Sequence, residues 1–293
     1  MTSRLVLPII LIFALSKIAC AQTATGYPAT EIYLLDIQKK GSNFGLAKNA
    51  KLVNVSNNKG YDNQPGFIEE INSIVYVSSR NNKPTDVYMY NLETAVTRQF
   101  TNNEDAEFSP KITPDGKFIS VVKGGEQNLT RISLDGSLTE KLHTSKDSIG
   151  YYSWLNTNEI AAFLLTNPIT LKIINIKNKT EQYIGDSIGR SLFKYDDEVM
   201  VCRTLHSGNW VTLVDRKGNY TQLIQLPKDT EDFYLTDDGW IFSSNGSNLI
   251  YCNVKKADKG WQVLADLKGM GVSKILRLAV NRKKDKLAFV TNE

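Results

Sequence analysis

Beyond its apolar N-terminus the chain runs as short apolar stretches separated by clusters of Asn, Asp, Gly, Pro and Ser. Alternation of apolar and polar positions over four to eight residues marks half-buried strands, whereas a helix would repeat every 3.6 residues. No long stretch with the helical period follows the N-terminus, so an all-β protein is expected.

The strands recur in a pattern. The segment Ile112-Thr113-Pro114-Asp115-Gly116-Lys117-Phe118-Ile119-Ser120-Val121 reads as a strand, a tight Asp-Gly turn and a second strand. Equivalent segments start at Phe67, Trp154, Phe193, Leu235 and Val280, so the six markers are spaced by 45, 42, 39, 42 and 45 residues. Second strands are expected at 74–77, 118–122, 160–164, 199–202, 240–242 and 287–290. Third strands are expected at 87–92, 130–134, 171–176, 211–215 and 249–254, and fourth strands at 96–100, 138–142, 181–184, 221–226 and 261–267. The sixth unit ends after its second strand, and the missing pair is found at the other end of the chain, at 32–37 and 51–55.

Four strands per unit of about 43 residues is the signature of a propeller. Six units fit the chain and seven do not. The expectation is an all-β, six-bladed β-propeller with four antiparallel strands per blade. N-terminal strands pairing in the C-terminal blade would close the ring, because an open array leaves unpaired backbone groups at both ends. The propeller is expected to occupy residues 31–293 as a single domain, after a short linker at 22–30.

Residues 1–21 read as a signal peptide. Arg4 supplies a positive start, the apolar run from Leu5 to Leu15 is too short to span a bilayer, and Ala19-Cys20-Ala21 gives a small-x-small cleavage pattern. Cleavage after Ala21 is preferred over lipidation of Cys20, since Lys17 stands where a lipobox wants an aliphatic residue. The protein is therefore expected to be exported, periplasmic or secreted, with no transmembrane segment once the leader is gone. Export permits disulfides, yet Cys202 and Cys252 both sit in apolar strands and read first as small buried hydrophobes.

Composition narrows the function more by exclusion than by direction. The net charge is +4, from 35 basic and 31 acidic residues, too balanced to expect a nucleic-acid partner. Two His in the whole chain exclude an all-His metal centre. The string Gly185-Asp186-Ser187-Ile188-Gly189 matches a nucleophile-elbow pattern, but that chemistry needs a helix after the Ser. Here a strand is expected, and Asp147-Ser148-Ile149-Gly150 repeats the string one unit earlier. No catalytic residue and no metal ligand set is assigned.

Several motifs carry a resemblance. Tyr61-Asp62-Asn63-Gln64-Pro65, and Phe108-Ser109-Pro110 with Pro114-Asp115-Gly116, resemble the WD40-like (PD40) repeats of the TolB-like propeller family. Gly150-Tyr151-Tyr152-Ser153-Trp154 and Ile188-Gly189-Arg190-Ser191-Leu192 are similar to further stretches in exported bacterial proteins of that group. The resemblance implies a six-bladed propeller in the bacterial envelope. TolB itself binds an outer-membrane lipoprotein and partners of an inner-membrane complex, and it carries an α/β domain ahead of its propeller that residues 22–30 are too few to supply.

In a propeller the loops entering the innermost strands ring one mouth of a central channel. These loops carry a recurrent acid: Asp62, Asp105, Asp147, Asp186 and Asp229 lie five to seven residues before their markers. Crowded carboxylates either gather a cation or donors, or each accepts backbone N–H groups in its own turn. With Arg190, and with His206 on a neighbouring loop, they form the candidate ligand-binding set. The expected function is a non-catalytic binding or scaffold module for a protein or glycan partner at the cell envelope, acting as a monomer. The alternative is a metal-dependent hydrolase, lactonase or lyase at the channel mouth. No cofactor is expected, Ca²⁺ in the channel being the exception that an acidic ring would allow.

Overall fold

The computed structural model describes residues 26–81, 83–143 and 146–292. The leader expected at 1–21 and its cleavage or lipidation site lie outside the described residues.

The chain opens with β1 (Thr30–Lys40), β2 (Asn43–Leu46) and β3 (Val53–Asn54). Five runs of four strands follow. The first comprises β4 (Tyr61–Ile68), β5 (Ser73–Ser79), β6 (Asp86–Asn91) and β7 (Thr97–Gln99). The second comprises β8 (Glu107–Ile112), β9 (Phe118–Lys123), β10 (Asn128–Ser133) and β11 (Thr139–His143). Then come β12 (Ile149–Asn156), β13 (Glu159–Leu164), β14 (Thr170–Asn175) and β15 (Thr180–Asp186). Next are β16 (Ile188–Tyr195), β17 (Glu198–Leu205), β18 (Gly208–Val214) and β19 (Tyr220–Gln225). The fifth run is β20 (Phe233–Leu235), β21 (Trp240–Asn245), β22 (Asn248–Asn253) and β23 (Gln262–Asp266), and the chain ends with β24 (Ile275–Val280) and β25 (Lys286–Asn292). The all-β expectation holds.

Four of these runs, from β8 to β23, are separate four-stranded antiparallel sheets. The rest form one nine-stranded sheet in the order β24-β25-β1-β4-β5-β6-β7, with β2 and β3 also paired to β1. Strand β1 lies antiparallel to β25, with Tyr33 opposite Phe289 and Leu35 opposite Leu287. Strand β3 continues outward, with Tyr33 opposite Asn54. The link to β4 is a single parallel pair, Thr30 with Tyr61. It is held by Thr30 N donating to Gly60 O at 2.8 Å and by Thr30 Oγ1 donating to Asp62 O at 2.9 Å.

Each sheet buries both faces, which is why its middle strands read as continuous apolar runs. The β1–β25 pair shows the logic of alternation. Leu35, Leu287 and Phe289 pack with Phe242 and Tyr251 of the β20–β23 sheet, while Ile32 and Val290 pack with Ile74, Tyr76 and Tyr88 of β4–β7. Tight turns use the expected chemistry. In the β8–β9 turn Gly116 takes φ +69, where only glycine is unstrained, and Asp115 Oδ1 accepts from Lys117 N at 3.1 Å.

One element was not foreseen. The hairpin partner β2 carries Phe44, 5 % exposed, with Trp240, Phe242 and Tyr251 each about 5.0–5.1 Å from its ring centroid.

Candidate functional site

The first strands of the five four-stranded runs, β4, β8, β12, β16 and β20, and β24 of the terminal pair converge on a cavity of about 400 Å³. Its wall is made by residues 64–67, 109–112, 151–154, 190–194, 232–235 and 277–278, with Val75 and Asp237. Most of these strands are irregular at the wall. The register with the second strand shifts between Asn63 and Gly66, Phe108 and Lys111, Ile188 and Leu192, and Ile275 and Arg277. A bulge inserts extra residues on one strand and re-aims side chains. In β4 and β8 the bulge coincides with Gln64-Pro65 and Ser109-Pro110, where Pro has no N–H to give the ladder. Gln64 and Ser109 take φ +58 and +53 there, and Ser109 N donates to Gln64 Oε1 at 2.6 Å, tying one strand to the next.

One layer of this wall has a simple origin. Gln64, Ser109, Tyr151, Arg190, Asp232 and Arg277 each stand three residues before their strand marker. All six line the cavity. They are six equivalent repeat positions carrying five different polar residue types.

Charge is concentrated at this layer. Arg190 Nε donates to Asp232 Oδ1 and Oδ2 at 3.0 and 2.9 Å, and its Nη2 also contacts Oδ2. Glu231 adds a second partner, 3.2 Å from Arg190 Nη1. Arg277 Nε lies 3.6 Å from Asp232 Oδ1, and its guanidinium sits 5.3 Å from the Tyr151 ring centroid. Burial works against the charge on Arg190, but Asp232 and Glu231 outweigh it and push the pKa up. Arg277 is likewise raised: burial opposes its charge, while Tyr151 and Asp232 favour it. Lys111 differs. Among the described residues its ammonium makes no ion pair, and burial, with Arg277 adding repulsion, pushes its pKa down to about 8.

The aspartates singled out in the sequence lie elsewhere. Asp62, fully buried in β4, accepts from Asn58 Nδ2 at 3.1 Å, while its Oδ1 is buried without a hydrogen-bond partner. Burial raises its pKa to about 6, with the Ser78 and Asn58 side chains pulling the other way. Asp105 is exposed, and its N–H donates to Asn103 Oδ1 at 3.0 Å. Asp147 accepts from Lys172 Nζ at 3.1 Å. Asp186 accepts from Tyr183 Oη at 3.2 Å and Ser187 Oγ at 3.0 Å. Asp229 is exposed with φ +60, and His206 is exposed between β17 and β18. None of these six side chains lines the cavity, whereas Arg190 does. Among the described residues no three His, Cys, Asp or Glu side chains are grouped to hold a metal ion.

The Gly-x-Ser-x-Gly string is accounted for by packing. Ser187 joins strand β15 to strand β16, with no helix after it. A Cβ on Gly185 would fall 1.8 Å from Tyr220 Oη, and one on Gly189 would fall 3.0 Å from Cys202 Sγ. Cys202 and Cys252 are free thiols, both buried.

Sequence reading missed Lys111, Asp232 and Arg277 as site residues. The available signal was a charge inside a strand otherwise kept apolar, as in Ile275-Leu276-Arg277-Leu278, at a position the repeats hold in common.

No known family profile matches the chain, and no curated protein matches it in sequence. Solved structures do match in shape. A TolB-like protein from Agrobacterium tumefaciens superposes with TM-score 0.68 at 10% identity, over 92% of this chain and 99% of that one. TolB from Acinetobacter baumannii gives TM-score 0.58 at 10% identity over 90% of this chain, which spans 64% of its length. A gluconolactonase from Xanthomonas campestris gives 0.63 at 12% identity, over 91% and 98% of the two chains. The shared fold is a β-propeller. Identities this low carry the fold and nothing about chemistry. They do give the wall described above a place, since the first strands of a propeller's sheets surround its axis.

Proposed function

We propose that the chain is an exported, monomeric, six-bladed propeller of the bacterial envelope that binds a protein or glycan partner without transforming it. The supporting strand count is direct. Four sheets stand alone, and the nine-stranded sheet divides at its single Thr30–Tyr61 pair into β4–β7 and β24-β25-β1-β3, with β2 as an appended hairpin. In this reading β1, lying on β25, closes the ring, and the domain runs from about residue 31 to the C-terminus. The loops bearing Asp105, Asp147, Asp229 and His206, with Asp186 at the end of β15, form the rim that meets the partner, while Asp62 is buried in β4 and Arg190 stands inside.

The observation that carries the binding reading is the cavity at the convergence of the six first strands, its wall ringed by unlike polar side chains. Preformed concave sites with a few convergent polar groups are the usual places for ligands. The test is binding of the purified mature protein to a panel of envelope glycans and envelope proteins, with fractionation of the native host to place it outside the cytoplasm. Saturable binding of one class without its consumption supports the proposal. Cytoplasmic retention, or turnover of the bound compound, refutes it.

The metal-dependent lactonase or lyase reading draws on the likeness to a gluconolactonase. The cavity wall, however, places Lys111, Arg190 and Arg277 close together, and a surplus of positive charge opposes a divalent cation at that layer. Metal analysis of the purified protein, and a melting shift under chelator, separate the two readings.

A further inference from the structure

We infer that the cavity binds a small monocarboxylate with a ring body, its carboxylate held by Lys111 and Arg277 of the wall. The inference rests on the binding reading above and names the chemistry of the ligand.

Four cations, Lys111, Arg190, Lys194 and Arg277, share this region with three carboxylates, Asp232, Asp237 and Glu231. Arg190 is engaged by both acids, and Arg277 reaches Asp232 only at 3.6 Å. Among the described residues the Lys111 ammonium makes neither an ion pair nor a hydrogen bond, and it lines the same cavity as Arg277, whose charge repels it. A cation drawn partly out of water without a partner is costly, and two neighbouring cations more so. Proteins retain such an arrangement where a ligand supplies the missing anion.

A second, independent observation points the same way. Ser109, 5 % exposed and two residues before Lys111 in the same wall, keeps its Oγ buried with no hydrogen-bond partner. Buried hydroxyls are nearly always satisfied, so an orphan is a mark of a missing partner. Both unused groups can donate, and a carboxylate is acceptor-only. The surplus is one positive charge, which favours a monoanion over a doubly charged phosphate. The same wall carries Tyr151, Trp154 and Phe193, surfaces suited to the face of a ring. A volume near 400 Å³ suits a single ring compound better than a polymer chain.

Calorimetric titration of the full mature chain with benzoate and with D-glucuronate, against benzamide, D-glucose and inorganic phosphate, tests this. Both carboxylates or one of them should bind, and the neutral counterparts should not. Lys111→Met should weaken binding about tenfold or more, the usual scale for a charged hydrogen bond, while Lys111→Arg keeps most of it. Circular dichroism and melting confirm that each variant is folded, and Lys111→Met removes an unpaired charge, so it should fold at least as well. Three results overturn the inference: silence toward both carboxylates, equal binding by Lys111→Met, or phosphate binding as tight as carboxylate. If envelope partners still bind while the acids are silent, only this inference falls. If neither binds, the functional proposal falls with it.

Discussion

Asp62 offers a direct measurement of what the fold tolerates at the seam between β1 and β4. Its backbone exchanges hydrogen bonds with Thr30 Oγ1, at 2.9 and 3.2 Å, where the N-terminal strand docks. Its carboxylate is fully buried with one oxygen unpartnered, and its pKa is raised from 3.8 to about 6. A carboxylate with a raised native pKa binds its proton more tightly folded than unfolded, so stability falls as pH rises through the window between the two values. The penalty is fully present above about pH 6 and is relieved as pH falls toward about 4. At about 1.4 kcal/mol per pKa unit, it amounts to about 3 kcal/mol at neutral pH. Two-thirds of this, about 2 kcal/mol, should be recovered between about pH 7 and about pH 4.5. Urea denaturation of the wild type and of Asp62→Asn across that range isolates the effect. Contributions from other titrating groups, and any constant change in hydrogen bonding, cancel in the pH dependence of the difference. The wild type should gain on the variant by about 2 kcal/mol on acidification. A difference that does not change with pH, or changes in the opposite sense, refutes the assignment of a charged, under-solvated carboxylate at this seam.

Three further outcomes are expected. Leu35→Ala, at a fully buried position facing Leu287 of β25, should cost about 2–5 kcal/mol by denaturant melt, and a cost under about 0.5 kcal/mol would show that β1 does not help close the core. Asp232→Asn strips Arg190 and Arg277 of their shared acid; it should lower stability by about 3 kcal/mol and tighten carboxylate binding in the same titration, while unchanged affinity would remove Asp232 from the charge balance of the cavity. The Cys202 and Cys252 thiols, buried and pushed up to about 12, should resist a thiol reagent at neutral pH until the protein unfolds, and rapid labelling of either in the native state would contradict their burial.

How much of this was legible in the sequence depends on whether a feature repeats. The Thr-x-Asp-Gly turns announce themselves because Asp caps the turn and Gly takes positive φ, and both occur in Thr113–Gly116 and Thr236–Gly239. The pairing of β1 with β25 could be anticipated because only that pairing accounts for the two strands missing from the last unit. Phe44 could not, since a lone aromatic in a polar stretch after Lys39-Lys40-Gly41 gives no period to read, and its partners Trp240, Phe242 and Tyr251 lie about two hundred residues away. The recurrent aspartates drew attention for the opposite reason, as they repeat. Repetition in a propeller is first of all what blade-to-blade connections require, and the partners found for Asp147 and Asp186 are local ones, Lys172, Tyr183 and Ser187.

Where repeated units share one backbone plan, a position that must only pack will be filled alike in each, as the second strands are with Ile, Val, Ala and Phe. A position that meets a ligand on the axis faces a different part of that ligand from each unit, so its residues are free to diverge. Three places before the strand marker the chain reads Gln64, Ser109, Tyr151, Arg190, Asp232 and Arg277. No packing requirement would choose two arginines, an aspartate and an orphaned serine for equivalent positions at the wall, because each adds a desolvation cost that Val or Ile would not. The divergence is what the proposed axial site would require. It yields a sharp test of the whole construction: exchanging Ser109 for Val should leave the fold intact, or stabilise it by removing an unsatisfied hydroxyl, while weakening carboxylate binding measurably. If Ser109→Val lost stability without touching affinity, the layer would be structural after all, and the axis would hold no site.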